Sequence, residues 1–207
     1  MTKNAIADNA WHFLFCKREQ GVLGEATHRH HAVADALYHT VMTIGGRAVR
    51  EPTHLQSDRG TRPDLQIMFE GHHIITDVVI SHPLTKNYCS QTIALSGNAG
   101  VARRMESIKA NKYAELTEQQ NAEFYAFGAE SCGGVGTSTL ALLKQLSQVG
   151  EAHLAMWTQH QIVRHMLSSV AVAIQRGNAM IVLSGYSNEL MKRAGRGSDE
   201  TRGGHAA

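Results

Sequence analysis

Two aspartates, Asp64 and Asp77, flank a glutamate–glycine pair of the kind that closes tight hairpins. If Glu70 and Gly71 are the two turn residues, the numbers of facing residues sum to 141, and the two aspartates meet this condition. Residues that face each other in this way lie on one side of a sheet, with β-carbons about 4.5–5.5 Å apart. Two carboxylates at that distance repel each other unless a proton or a cation lies between them, and Mg²⁺ accepts such oxygen ligands. The spacing therefore predicts a divalent-metal site.

A metal held by two carboxylates can stabilise charge on a phosphodiester and lower the pKa of an attacking water. Asp77 lies in the β-branched run Ile74–Ile80, where an ionisable group costs free energy unless it is paired. Structural alternatives remain open: Asp64 could merely begin a strand or bond Arg62, and Asp77 could pair with a buried lysine or arginine. A turn of three or four residues would also break the register. The residues alone thus leave a metal pair and ordinary ion pairs as alternatives.

A helix predicted over Val101–Gln119 could supply the cation that phosphodiester hydrolysis by such a pair usually needs. Its Lys109 and Lys112 are three residues apart and share one side of the helix. The apolar stripe of this helix is predicted to consist of Val101, Met105, Ile108 and Leu116. We expect Lys112 inside that stripe and Lys109 on its flank, where a lysine must reach solvent or an anion such as the aspartate pair. The alternative is a solvated face, to which Arg103 and Arg104 would also belong.

Hydrophobic periodicity and turn residues predict the elements that would position these side chains. In chain order they are helix Thr27–Ile44, strands Arg47–Arg50, Leu65–Phe69 and His73–Ile80, helix Val101–Gln119, strand Glu123–Ala129, and helices Ser138–Val149 and Glu151–Arg176. Thr27 is expected to cap the first helix, and Gly177-Asn178 to interrupt the last. This order predicts an α/β fold with a mixed sheet between helices.

Composition limits the class of protein. The 207 residues, 43% of them hydrophobic, suffice for one domain with an appended helical part. We expect a leader at 1–26, a core at 27–150, a C-terminal helical extension at 151–194 and a disordered tail at 195–207. Three cysteines without a CxxC pair argue against a disulfide framework and fit a reducing, intracellular compartment. No apolar run approaches the length of a membrane span, so we expect no membrane partner.

Three sequence segments now occur in an order that resembles one family. They are Arg29-His30 before the apolar face of a helix, Arg62-Pro63-Asp64 followed by Asp77-Val78, and Lys109-Ala110-Asn111-Lys112-Tyr113. The combination resembles the restriction-like endonuclease domain of site-specific non-LTR retrotransposons, a branch of the PD-(D/E)XK nuclease superfamily, over residues 12–135. That family shows an Arg/Lys-Pro-Asp motif, a second acid and a Lys-x-x-Lys-Tyr helix, and each piece alone is a weak signal.

The resemblance implies a restriction-endonuclease-like αβββαβ core with a mixed four-stranded sheet, followed by C-terminal helices. It implies a Mg²⁺- or Mn²⁺-dependent DNA endonuclease in which Asp64 and Asp77 bind the metal. Lys109 would be the catalytic lysine, supported by Lys112 and Tyr113. The DNA contacts would come from Arg29, His30, Arg62, Arg103, Arg104 and Tyr113. The implied function is nicking of chromosomal DNA in the nucleus, so that a linked or associated reverse transcriptase can prime on the exposed end.

The chain departs from the family pattern at two places. The superfamily places its lysine two residues after the second acid, where this chain has Val79, although the retroelement branch moves that lysine to the helix. The connection Ser81–Gly100 is longer than we expect. His12 and Cys16 look like the last half of an upstream zinc knuckle, and because a half-site cannot hold a tetrahedral structural zinc, we predict none.

Two other functions remain as alternatives. The first is a catalytically inactive nucleic-acid-binding remnant of a retroelement polyprotein. The second is a structural protein in which the two aspartates form ordinary ion pairs. A net charge of only +2 means that a DNA enzyme would have to concentrate its basic residues in one place. Of the remaining acids, Glu51 is interpreted as a surface charge and Glu130 as a strand end with no assigned role.

Overall fold

The computed structural model describes residues 13–14, 22–56, 62–69, 71–85, 88 and 97–202. Within these ranges the elements are α1 (Val22–Thr43), β1 (Arg47–Arg50), a short 3-10 helix (Thr53–Leu55), β2 (Leu65–Phe69), β3 (His72–Ser81), α2 (Gly100–Gln119), β4 (Glu123–Glu130), α3 (Thr137–His153) and α4 (Gln159–Arg202). The four strands form one sheet in the order β1-β2-β3-β4.

The sheet is mixed because its last strand runs against the pattern of the first three. β1 pairs antiparallel with β2, and β2 antiparallel with β3, whereas β4 runs parallel to β3. A parallel neighbour requires a crossover connection, and α2 lies in that connection. The predicted α/β class with a mixed four-stranded sheet is confirmed.

The β2–β3 hairpin has the predicted register. Phe69 faces His72 and Leu65 faces Thr76, so that facing numbers sum to 141. Gly71 has φ +76°, in the left-handed region that glycine adopts without steric cost. Glu70 lies outside the described residues. A hairpin with this register keeps every second residue of the two strands on the same side of the sheet.

The main core lies on the side of the sheet that faces α1, α3 and α4. The predicted apolar face of α1 is confirmed, because four of its residues and the one just after its end are almost fully buried: Val33, Ala34, Leu37, Val41 and Ile44. They join Ile67 and Ile74 of the sheet and Leu142 and Leu146 of α3 in one cluster. Each fully buried side chain of this size contributes roughly 1.5–3 kcal/mol to folding. The helix ends as expected at a glycine pair, with Gly45 at φ +86°.

The boundaries of α1 and α4 differ from the prediction. α1 begins at Val22, so Thr27 lies inside the helix and does not cap it. The predicted helix Glu151–Arg176 is also wrong: α3 continues to His153, and α4 runs without a break through Gly177 and Asn178. Residues 195–202, expected to begin a disordered tail, continue α4, and residues 203–207 lie outside the described ranges.

Packing explains why Gly177 and Asn178 do not interrupt α4. A β-carbon on Gly177 would lie 2.4 Å from Cγ of Arg29, so glycine is required where α4 approaches α1. The Asn178 amide accepts a hydrogen bond from Arg29 and donates one to the Ser131 carbonyl, at 2.7 and 2.8 Å. Both residues therefore serve the contact between helices, which outweighs their weak helix propensity.

α4 belongs to the same core as the sheet. Ile162, Met166, Val170 and Ile174 are buried in the main cluster, although this stretch was expected to be a separate helical extension. Within the described residues, α4 also contains one stretch, Gln159–Lys192, that is long and apolar enough to cross a membrane. This differs from the sequence-based expectation, and core helices pass the same test because one of their faces is apolar.

Candidate functional site

The two aspartates sit at the edge of the hairpin register. Asp77 lies within β3 and Asp64 immediately precedes β2, so they form the next facing pair beyond Leu65 and Thr76. Only 6% of the Asp77 side chain and 16% of the Asp64 side chain are exposed. The charge of Asp64 acts on the pKa of Asp77, as expected for neighbouring carboxyl groups. The structure therefore brings the predicted acid pair together on one side of the hairpin.

The Asp64 carboxylate is held by donors from two elements. Its Oδ1 lies 3.0 Å from Nε2 of His30 on α1, and its Oδ2 accepts a hydrogen bond from the Val78 N–H at 2.6 Å. Burial acts to raise the pKa of Asp64, but the hydrogen bond and charge of His30 and the Val78 N–H outweigh it. The net shift is downward, with a smaller contribution from Lys109, so Asp64 is held as a carboxylate.

The Asp77 carboxyl group has the opposite tendency. Burial and the charge of Asp64 raise its pKa, and the contacts with Lys109 and Tyr113 offset this only in part. The Lys109 ammonium contacts Oδ2 of Asp77, and the Tyr113 hydroxyl lies 2.8 Å from Oδ1. One acid of the pair is thus held ionised, while the other favours a bound proton or cation. Neighbouring groups with divergent pKa values are typical of functional sites, although structural ion pairs can produce them as well.

Tyr113 links the acid pair to the loop before β2. Its hydroxyl is 2.8 Å from both the Asp77 carboxyl oxygen and the Arg62 carbonyl oxygen, and its ring stacks on Phe124 at 5.1 Å between centroids. Burial and the charge of Asp77 raise the pKa of Tyr113, so the hydroxyl stays neutral. A hydroxyl carries one hydrogen for these two acceptors. A protonated Asp77 would resolve this by donating to Tyr113, which then donates to the Arg62 carbonyl.

The buried face of α2 agrees only in part with the predicted apolar stripe. Lys112 is exposed, with its ammonium 5.0 Å from the Tyr113 ring centroid, whereas Lys109 is the lysine that reaches an aspartate. Ile108, placed on the predicted apolar stripe, is 48% exposed. The buried residues of α2 are Val101, Ala102, Glu106 and Tyr113. Of the predicted stripe, Val101 is buried and Met105 and Leu116 are half-buried, whereas the buried Glu106 and Tyr113 lie outside it.

Arg29 lies elsewhere in the fold than predicted. It was expected to contact DNA, but it is only 6% exposed and donates a hydrogen bond to Asn178 of α4 at 2.7 Å. Burial lowers the pKa of its guanidinium. His30, its neighbour in the motif, is the residue that reaches the acid pair. Arg29 therefore stabilises the α1–α4 contact and is not available to a nucleic acid.

The other predicted DNA-contacting arginines are Arg62, in the loop before β2, and Arg103 and Arg104 on α2. Arg104 is exposed and Arg103 half-buried near the start of α2, the helix that carries Lys109. The Arg62 guanidinium contacts the Glu51 carboxylate, while its carbonyl oxygen accepts the hydrogen bond from Tyr113. Of the three, Arg62 is joined to the acid pair through the Tyr113 hydroxyl.

Glu51 was interpreted as a surface charge, but its backbone belongs to the site. Its N–H donates to the Asp64 carbonyl at 2.8 Å, and its φ of +46° lies in the left-handed region. The Glu51 carboxylate contacts Arg62 and lies 3.6 Å from Nδ1 of His31. Nearby, Arg50 contacts the Asp35 carboxylate. These ion pairs lie next to the loop that carries Asp64. No local sequence pattern predicts them.

Two further glutamates fix the position of α2. Glu130, at the end of β4, accepts hydrogen bonds from the Val101 and Ala102 N–H groups in the first turn of α2, at 3.1 and 3.4 Å. Glu106, buried on α2, accepts from the Ser138 and Thr139 N–H groups at the start of α3. Carboxylates stabilise helix N-termini because they satisfy free N–H groups and face the positive end of the helix dipole. These contacts hold the helix that presents Lys109.

The donor set of the site suits a hard divalent cation only in part. Asp64 and Asp77 offer carboxylate oxygens, the ligands that Mg²⁺ prefers. Among the described residues, however, no three histidine, cysteine, aspartate or glutamate side chains converge as a metal-binding group. His12 and Cys16, the half zinc knuckle, lie outside the described residues. No protein-family model and no curated protein matches this chain, so its function has to be inferred from the geometry of the site.

Proposed function

We propose that this chain is a divalent-metal-dependent DNA endonuclease with its centre at Asp64, Asp77 and Lys109. The observation that carries the proposal is the facing acid pair with a lysine ammonium in contact with one member. Burying two neighbouring carboxyl groups costs free energy of folding. A function for the pair would explain why the protein keeps it. The order α1-β1-β2-β3-α2-β4 also matches the αβββαβ order of the restriction-endonuclease-like fold, which supports the same proposal.

Asp64 and Asp77 would hold the metal, Mg²⁺ or Mn²⁺. The fit rests on chemistry: both are hard oxygen donors, and each carboxylate oxygen can accept more than the one contact that it makes here. Repulsion from Asp64 contributes to the raised pKa of Asp77, and a bound cation would relieve it. When bound, such an ion supplies a Lewis acid that polarises a phosphodiester and lowers the pKa of a bound water.

The protein side chains would act by position and charge. His30 and the Val78 N–H hold the Asp64 carboxylate in one orientation, and Tyr113 holds that of Asp77. The Lys109 side chain is 21% exposed. Its ammonium would turn from Asp77 towards the negative charge that develops on a phosphate oxygen. A cation in a partly buried site stabilises such charge more than a cation in water does, because the effective dielectric constant there is lower.

The proposed substrate is DNA, and the proposed context is a retroelement. α2 carries the basic residues Arg103, Arg104, Lys109 and Lys112 in its first two thirds, whereas two of its three glutamates, Glu115 and Glu118, follow towards its C-terminal end. Positive charge along one helix is what binding to a phosphate backbone requires. We propose that the cleavage is a nick in nuclear DNA that a linked or associated reverse transcriptase uses as a primer.

Plasmid nicking tests this proposal directly. With Mn²⁺, the wild-type chain should convert supercoiled plasmid to open circles, and EDTA should abolish the conversion. Asp64→Ala and Lys109→Ala should each lower the rate by about 100-fold or more, the usual effect of losing a group that stabilises a transition state. Lys144→Ala, which removes an exposed lysine of α3, is the matched control and should nick at the wild-type rate. Equal rates for all four proteins would refute the assignment.

The inactive nucleic-acid-binding remnant is favoured by one observation. Each of the four oxygens of Asp64 and Asp77 already contacts a donor of the protein. A decayed site that had replaced its metal by such contacts would leave plasmid intact in Mn²⁺. It would still bind DNA, with an affinity that falls steeply as salt rises.

A further inference from the structure

The outward side of α4 carries a regular feature that the proposed function does not use. Six exposed residues follow one another at alternating spacings of four and three: Val172, Arg176, Ala179, Leu183, Tyr186 and Leu190. We name this set the α4 stripe. The spacing is that of the a and d positions of a coiled coil, which face a partner helix. Leu183, near its centre, is 60% exposed.

At Leu183 the α4 stripe lies opposite the side by which α4 joins its own protein, and its first two residues, Val172 and Arg176, border the groove between α4 and α1. Ile174 and Ile181 are 1% exposed, and Phe13 packs against Ile181 and closes on Gly185. Successive residues of an α-helix are about 100° apart, which places these residues roughly half a turn from Leu183. α4 therefore has two apolar sides, one in the core and one directed to the exterior.

We infer that the α4 stripe pairs with the α4 stripe of a second copy of this chain, in antiparallel orientation. A two-fold axis level with Ile181 would place Val172 opposite Leu190 and Ala179 opposite Leu183 of the partner. These two pairs each combine a smaller with a larger side chain, and the third pair, Arg176 with Tyr186, joins two long side chains. Since the same surface serves both copies, the contact is self-complementary and closes at two.

The charge in the α4 stripe decides the orientation. Arg176 is the one charged residue of the six. A parallel pair would set Arg176 against Arg176 of the partner, with like charges at a seam that excludes water. The antiparallel pair instead sets Arg176 over the ring of Tyr186, where a guanidinium and an aromatic face attract each other. The antiparallel dimer is thus the arrangement in which every residue of the stripe has a suitable partner.

This inference is independent of the nuclease proposal, and its first test is the mass in solution. Light scattering on the purified 207-residue chain should give twice the chain mass of 22.6 kDa. Leu183→Glu should raise the dimer dissociation constant by about tenfold or more, because a charge then sits in the apolar seam. Leu140→Glu is the matched control: Leu140 is 45% exposed on α3, outside the stripe, and its replacement should leave the dimer intact.

The second test distinguishes the two orientations. In a background of Cys16→Ser, Cys89→Ser and Cys132→Ser, a mixture of Val172→Cys and Leu190→Cys chains should form a disulfide-linked dimer on mild oxidation. Either variant alone should not, because in the antiparallel pair its own cysteines lie about 27 Å apart.

A charge exchange gives an independent check of the orientation. Tyr186→Glu should keep the dimer, since Arg176 then meets a carboxylate. The double variant Arg176→Glu, Tyr186→Glu should be monomeric, because like charges then face each other.

Three results would overturn the inference. The first is a chain that stays monomeric at every concentration. This includes the case in which the monomer sediments with anionic phospholipid vesicles, which would show that the α4 stripe binds a membrane. The second is a dimer that Leu183→Glu leaves unchanged. The third is disulfide formation by Val172→Cys or Leu190→Cys alone, which would show a parallel pair.

Discussion

The two sides of the sheet differ in the polarity of the side chains that they bury. Towards α1, α3 and α4, the strands present Leu65, Ile67 and Ile74, and the interface is apolar throughout the main cluster. Towards α2 lie Asp77 of β3 and Asp64, which immediately precedes β2. The Lys109 ammonium and the Tyr113 hydroxyl of α2 contact the Asp77 carboxylate. The first side gains stability from burial, whereas the second has to compensate the desolvation of its polar groups. The difference shows where this protein can tolerate a cost in stability, which is where function is expected.

The largest loss of stability is expected at Ile67, and the comparison is with its neighbour Gln66, which faces the opposite side of β2. Ile67→Ala leaves a cavity in the apolar cluster and should lower the free energy of unfolding by about 2–4 kcal/mol. Gln66→Ala, on the α2 side, removes a contact with His73 at 2.9 Å and should cost about 1 kcal/mol. Urea denaturation of both variants measures the difference, and equal losses would contradict the contrast between the two sides.

Glu106 should be the most costly polar residue to change on the α2 side. Its carboxylate accepts three hydrogen bonds at the start of α3, from the Ser138 N–H and from the N–H and hydroxyl of Thr139. In Glu106→Gln an amide NH₂ would face these donors, so the free energy of unfolding should fall by about 1–3 kcal/mol. Glu115→Gln, an exposed position on the same helix, is the control and should change it by less than about 0.5 kcal/mol.

Asp77→Asn should stabilise the protein in the absence of metal, in contrast to the three destabilising changes above. The raised pKa of Asp77 means that its ionised form is disfavoured in the folded state, chiefly by burial and by Asp64. The neutral amide avoids this cost, so the free energy of unfolding at neutral pH should rise by about 1 kcal/mol, the usual gain from relieving one such site. A lower melting temperature for Asp77→Asn would indicate that the Lys109 ion pair dominates.

The raised pKa of Asp77 also predicts how the difference in stability between wild type and Asp77→Asn changes with pH. Asp77 is protonated in both folded and unfolded states below the ordinary aspartate pKa of about 3.9, so wild type and Asp77→Asn should there differ least. As pH rises through that value and then through the raised folded pKa, the wild type loses stability relative to the variant. Thermal melts from acid to neutral pH measure the divergence. A difference that stays constant with pH would exclude a contribution from ionisation of Asp77.

The smallest effect on stability is expected at Lys112. Because this side chain is exposed, Lys112→Ala should change the free energy of unfolding by less than about 0.5 kcal/mol. If the proposed DNA site extends along α2, the variant should bind DNA more weakly, and the slope of log affinity against log salt should fall by about 1. Unchanged DNA binding would move the DNA surface away from this part of α2.

The elements that could be predicted from the sequence are those with local signals. The apolar period of α1 and the turn before His72 depend on neighbours in the chain, and both expectations agree with the structure. The facing position of Asp64 and Asp77 followed from that turn alone. Local spacing is thus sufficient to bring two acids together when a tight hairpin joins them.

The features that escaped prediction depend on partners far along the chain. The buried side of α2 contains Glu106, whose hydrogen-bond partners lie more than thirty residues further along, at Ser138 and Thr139. A hydrophobicity pattern treats such a residue as solvated, so Glu106 was left out of the predicted buried face. Arg29 and Gly177 are similar, because each is explained only by the other across the α1–α4 contact.

The hairpin turn at Gly71 makes the length of this segment a condition for the acid pair. Side chains alternate between the two sides of a strand, so a single inserted residue that shifted the pairing by one would turn Asp64 to the layer opposite Asp77. Substitutions around the turn can be absorbed, but an odd change in length cannot. The length of the segment between Phe69 and His72 therefore determines whether the two acids share one side of the sheet. Related chains that keep the two acids should conserve this length more strictly than the residues of the segment.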